Sequence, residues 1–129
     1  MAELVFTCEL KGQAAPAGGN PSVLKANTSG QGPQKELVSF ESDVVLAGGT
    51  FQESGSIRYG NRGQVKFKTV GEGHLGPSPQ PNLMSGAVIW TITEGDGEFK
   101  GAQGYITSNF TVSGEGAVVD NHYARIFTT

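Results

Sequence analysis

The chain has 129 residues, 20 of them glycine and 6 proline, with 36% hydrophobic and 16% charged residues. That is enough for one domain and one core, too apolar for a disordered chain and too rich in turn formers for a helical bundle. A net charge of −3 with no basic run argues against nucleic acid as a partner.

Short alternating runs separated by Gly, Pro, Asn and Ser clusters predict an antiparallel all-β chain. In the first run, Glu3 to Leu10, the residues Leu4, Phe6, Cys8 and Leu10 share one face, and Glu3, Thr7 and Glu9 share the other. From Lys11 to about Lys35 the sequence is polar, with only Val23 and Leu24 as anchors, and reads as a long loop with one short turn of helix, either a lid or binding segment or simply a mobile loop. Leu37 to Leu46 resumes the alternation through Val38, Phe40, Val44 and Leu46. Gly48-Gly49 turns the chain into a weaker strand, Phe51 to Tyr59. Gly60-Asn61-Arg62-Gly63 makes a tight connection to Gln64–Val70, where Val65, Phe67 and Thr69 alternate with Gln64, Lys66 and Lys68.

A second loop, Gly71 to Ser85, is stiffened by Pro77, Pro79 and Pro81. Gly86 to Thr93 is the most apolar strand, and its lack of a polar side predicts cover on both faces, as at a subunit contact. Tyr105–Val112 and Ala117–Thr128 form the last pair, joined through Ser113-Gly114-Glu115-Gly116. The expected fold is therefore a closed antiparallel barrel of about eight strands in one domain, residues 1–129, with a sandwich as the competing architecture. A barrel of that size has room for one small ligand along its axis.

The segment Gly95-Asp96-Gly97-Glu98-Phe99-Lys100-Gly101-Ala102-Gln103-Gly104 lies between two strands and follows the pattern G-x-G-x-F-x-G-A-x-G. It resembles the signature of the allene oxide cyclase-like barrels, of which dirigent proteins carry a looser version. Tyr105 to Val112 also resembles small bacterial members of that group. The resemblance covers the C-terminal third well and the rest in strand order. It implies a barrel with Phe99 plugging one end, chemistry on unsaturated or polyketide substrates without metal or redox cofactor, and trimers in plant members. The family's catalytic residues do not map onto this sequence.

Signatures of nucleophile elbows, phosphate loops, zinc helices and dithiol motifs are all absent. Two histidines, His74 and His122, are too few for a His-rich metal site, so neither a metal nor a cofactor is expected. One cysteine, Cys8, allows no internal disulfide and fits a reducing compartment. No stretch reads as a signal peptide or a membrane span, which makes the expected location cytoplasmic and membrane partners unexpected.

The last strand offers two alternative inward sets: Asn121, Tyr123, Arg125 and Phe127, or Asp120, His122, Ala124 and Ile126. The candidate catalytic residues are His122 as a general base, Tyr59 and Tyr123 as phenolic donors, Arg125 as an anion partner and Asn109 as a hydrogen-bonding group. Trp90, Phe67, Phe40 and Phe110 are the candidate ligand walls, and His74 could cap a barrel mouth. Each has a plainer alternative as core or solvated surface; an inward Arg125 would need Glu41 or an anionic ligand beside it. Three functions compete. One is a cofactor-independent isomerase, cyclase or lyase acting on a small, largely apolar molecule. The second is a binding barrel without chemistry. The third is an assembly domain with a filled barrel. A dimer or trimer could accompany any of them.

Overall fold

A computed structural model describes residues 2–129. Its strands are β1 (Ala2–Ala17), β2 (Asn20–Gln31), β3 (Leu37–Ala47), β4 (Thr50–Tyr59), β5 (Gln64–Thr69), β6 (Gly73–Pro77), β7 (Leu83–Gly95), β8 (Gln103–Ser113) and β9 (Ala117–Thr128). Every pairing is antiparallel, and each strand pairs with its neighbours around a closed ring. The first and last strands meet from Ala2↔Thr128 to Gln13↔Ala117. Two short strands, β5 and β6, occupy one position between β4 and β7, so the nine strands make an eight-position barrel. Among the described residues, closure gives every strand a partner on both sides.

Strand alternation places the core. Leu10, Val38, Ile57, Tyr59, Val65, Trp90, Ile106 and Ile126 point inward and are almost wholly buried. Phe40, Phe67 and Trp90 form an aromatic layer across the barrel, with ring centroids 4.3 to 5.5 Å apart. Burying such rings supplies much of a small domain's hydrophobic stabilisation.

Two sequence expectations need correction. The segment 11–35 is mostly strand: β1 runs on to Ala17 and pairs with β2 from Leu10↔Gly30 to Ala17↔Asn20. Its inward positions include Gly12, Ala14, Ala26 and Thr28, too small or too polar to extend Leu24 into an apolar stripe. The proline-rich segment 71–85 likewise contains β6, and Leu75 packs from it against the core. On β7 the chain itself covers one face only. Val88, Trp90 and Ile92 are buried, whereas Ile89 is 50% exposed and Ala87 is also exposed.

Candidate functional site

The barrel's two ends are built differently. At the lower end the glycine-rich segment folds across the opening as a 3-10 turn, Gly97–Phe99, and Phe99 is fully buried against Tyr59 at 5.3 Å between ring centroids. Its glycines are required by the backbone. Gly97 has φ +57°, and Gly104 has φ +132° with no room for a Cβ beside the Arg125 carbonyl oxygen. Arg62 seals the rim: its guanidinium lies 5.5 Å from the centre of the Phe99 ring, and Nη1 is 3.2 Å from Glu36 Oε2. The Glu98 carboxylate lies 3.6 Å from Nε of the same arginine.

At the upper end a cavity of about 60 Å³ remains open inside the barrel. Its mouth is apolar, lined by Ala14, Leu24, Leu46, Leu75, Val112 and Val118. Deeper, Phe40, Phe51 and Phe110 form walls around Thr28, Glu53, Ser108 and Asp120. Two carboxyl groups thus face an otherwise apolar interior.

Asp120 is anchored on both oxygens. Ser108 Oγ donates to Oδ1 at 2.5 Å, and His122 Nε2 lies 2.8 Å from Oδ2. The other ring nitrogen, Nδ1, is buried without a partner. The His122 ring stands edge-on to Trp90, with 5.2 Å between centroids, and 5.6 Å from Phe40. Register explains the grouping: Ser108 and Cys8 are the cross-strand neighbours of His122 on either side. Burial pushes the Cys8 thiol up to about 11, reinforced by Asp120 and Glu36, so Cys8 stays a protonated, inert thiol.

Glu53 accepts a hydrogen bond from Ser42 Oγ at 2.6 Å. Burial raises its carboxyl from 4.5 to about 7; the Asp120 charge adds to the rise, and the Ser42 bond opposes it. The Trp90 indole N–H also favours the ionised form from nearby, without completing a hydrogen bond of normal geometry. The backbone of Glu53 lies at a break in the wall. Main-chain pairing of β4 stops at Ser54↔Lys68 on one side and Phe51↔Gly73 on the other. The Thr69 hydroxyl fills the break, accepting from Glu53 N at 2.7 Å and donating to Glu53 O at 2.9 Å. One side chain therefore stands in for a missing pair of ladder groups and fixes Glu53 in place.

Of the candidates chosen from sequence, His122, Tyr59, Trp90, Phe67 and Phe40 are inside the barrel, and Phe110 lines the cavity. Tyr59 belongs to the closed end, and its hydroxyl is buried without a partner. The other candidates lie outside the barrel. Tyr123 and Arg125 occupy the outward alternation of β9, where Arg125 Nε donates to Tyr123 Oη at 3.0 Å and pairs with Glu3. Asn109 is exposed opposite Asn121, and His74 is exposed on an outer groove. Alternation decides these placements: with Asp120, His122, Ala124 and Ile126 inward, Tyr123 and Arg125 must face out. Sequence reasoning missed Glu53, Ser42, Thr28 and Ser108. Glu53 carried a usable signal, since it shares its strand face with Phe51, Ile57 and Tyr59.

No family model matches the sequence, and no curated protein matches it. Among solved structures, the chain is similar to the pterocarpan synthase dirigent protein GePTS1, with a TM-score of 0.70 and 12% identity over 98% of this chain and 88% of that one. At that identity the likeness concerns the fold alone, and it extends over nearly the whole chain: this is a dirigent-like, eight-position antiparallel β-barrel.

Proposed function

We propose that this barrel binds a small, largely apolar organic molecule in its upper cavity and orients it through the polar groups on the cavity floor. The observation that carries this reading is the pair of buried carboxyl groups, Glu53 and Asp120, set in aromatic walls below an apolar mouth. Protein interiors seldom leave such groups beside empty space, and convergent polar groups in an apolar pocket are the usual mark of a ligand site. The barrel likeness to a dirigent protein is in keeping with a cavity that shapes a bound molecule. The test is a titration of the protein with 1-hexanol, followed by amide NMR. Shifts confined to Thr28, Glu53, Ser108 and Asp120, and lost in a cavity-filling Ala26→Phe variant that keeps a folded spectrum, are expected. Shifts spread over the outer surface, or none at all, would count against the reading.

A second reading, an isomerase, cyclase or lyase without cofactor, is favoured by one observation. Glu53 holds its proton up to about pH 7 and faces the cavity, as a general acid must. In that reading Glu53 delivers its proton to a developing carbanion or oxyanion, and Ser42 steadies the carboxylate left behind. Hydrolysis of butyl vinyl ether, which begins with protonation of carbon, checks it: acceleration below pH 7 that Glu53→Gln abolishes is expected. Equal rates for both proteins would rule it out.

A further inference from the structure

We propose that the upper cavity takes the ammonium group of a small organic amine, with the carbon chain leaving through the apolar mouth. The proposal rests on the reading of this cavity as a ligand site and adds the ligand's charge and chemical class.

The floor offers acceptors. Glu53 and Asp120 present carboxyl oxygens, and the hydroxyls that touch them, Ser42 and Ser108, donate into those oxygens. Thr28 Oγ1 lines the cavity in a residue 6% exposed and has no hydrogen-bond partner. Neither Lys nor Arg lines the cavity. An ammonium carries three donors and no acceptor, which complements this set. An anionic head would instead meet two carboxyl groups. A neutral alcohol brings one donor to the site where two carboxyl groups and the Thr28 hydroxyl converge, and a carbonyl brings none.

The walls point the same way. Phe40, Phe51 and Phe110 surround the floor, and aromatic faces attract a desolvated cation. A volume of about 60 Å³ holds an ammonium and one or two carbons, so a longer chain must extend between Leu24, Leu46 and Leu75. The groups facing Glu53 leave its charge free to respond. Asp120 and its partner His122 come from β9, while β3, β5, β7 and β8 contribute the uncharged Ser42, Thr69, Trp90 and Ser108. Neutral Thr28 and Leu75 come from β2 and β6, and the Cys8 thiol from β1 is protonated. The Glu36–Arg62 pair belongs to the opposite, sealed end.

A bound cation stabilises ionised Glu53 and expels its proton. Isothermal titration of the whole chain with hexylammonium and with 1-hexanol, at pH 6 and pH 8 in buffers of different ionisation heat, tests this. Hexylammonium is expected to bind more tightly than 1-hexanol at pH 8 and about tenfold more weakly at pH 6, where close to one proton is released per amine bound. Glu53→Gln should abolish the proton release and weaken the amine by roughly tenfold, with a much smaller loss for 1-hexanol and an amide NMR spectrum that stays folded. Thr28→Val, which spares both carboxyl groups, should weaken the amine more than 1-hexanol. Binding of 1-hexanol with no amine preference, or an amine affinity unchanged by pH, would overturn the amine assignment and leave the cavity reading standing. Failure of both probes would overturn both.

Discussion

The two ends of this barrel are made by the same strands and carry opposite chemistry. At the lower end Phe99, Tyr59 and the Arg62–Glu36 pair close the opening, and the charged groups sit at the rim with part of their surface in water. At the upper end Glu53 and Asp120 lie inside the wall, held by Ser42, Ser108 and His122, beside space that no side chain fills. The lower end uses its polar groups to finish the fold. The upper end keeps buried polar groups whose desolvation works against the fold, an arrangement typical of functional sites.

Three variants and one labelling experiment sharpen that contrast. Phe99→Ala should unplug the lower end and destabilise the barrel by about 3–5 kcal/mol in chemical denaturation, because a fully buried ring leaves a cavity behind. Glu53→Gln should act at the upper end with the opposite sign above neutrality. The folded state holds the Glu53 proton up to about pH 7, whereas the unfolded chain releases it near 4.5. The Glu53 contribution to stability is therefore full below pH 4.5, falls as pH rises toward 7, and stays low above that. The loss amounts to about 3 kcal/mol. Denaturation curves of Glu53→Gln should lack this decline, and the variant should equal or exceed the parent at pH 8. A stability that rises for the parent between pH 4.5 and 7, relative to the variant, would contradict the burial of a protonated carboxyl.

Smaller effects follow from the supporting hydrogen bonds. Ser108→Ala removes the donor to Asp120 Oδ1 and should cost about 1–3 kcal/mol, read from the same curves. Least of all should happen at Cys8, whose thiol is buried and held up at about 11. Iodoacetamide at pH 8 should leave it unmodified in the folded protein and alkylate it readily in denaturant, as mass spectrometry would report.

The plugged end was the more legible in the sequence. The spacing of Gly95, Gly97, Phe99, Gly101 and Gly104 signals a tight crossing between strands, and large apolar residues alternate cleanly along β3, β5 and β9. The open end was obscured because a cavity is made by what is small or missing. Gly12, Ala14, Ala26 and Thr28 face inward on β1 and β2, and without bulky side chains those strands look like a polar loop. Glu53 goes unmarked in a strand with a weak pattern, and Asp120 stays on one of two alternative faces until the alternation of β9 is fixed. Tyr123, Arg125 and Asn109 drew attention as chemistry-bearing residues, yet one choice of face on β9, propagated through its register with β8, sends them all outward.

The state of Glu53 is the hinge of this account. Carbon-13 NMR of side-chain carboxyl groups, with Glu53→Gln supplying the assignment, measures it directly. A Glu53 titration midpoint near pH 7 is the predicted result. A midpoint near the ordinary 4.5 would mean that the carboxyl is solvated, and that the upper end is no more a built site than the lower one.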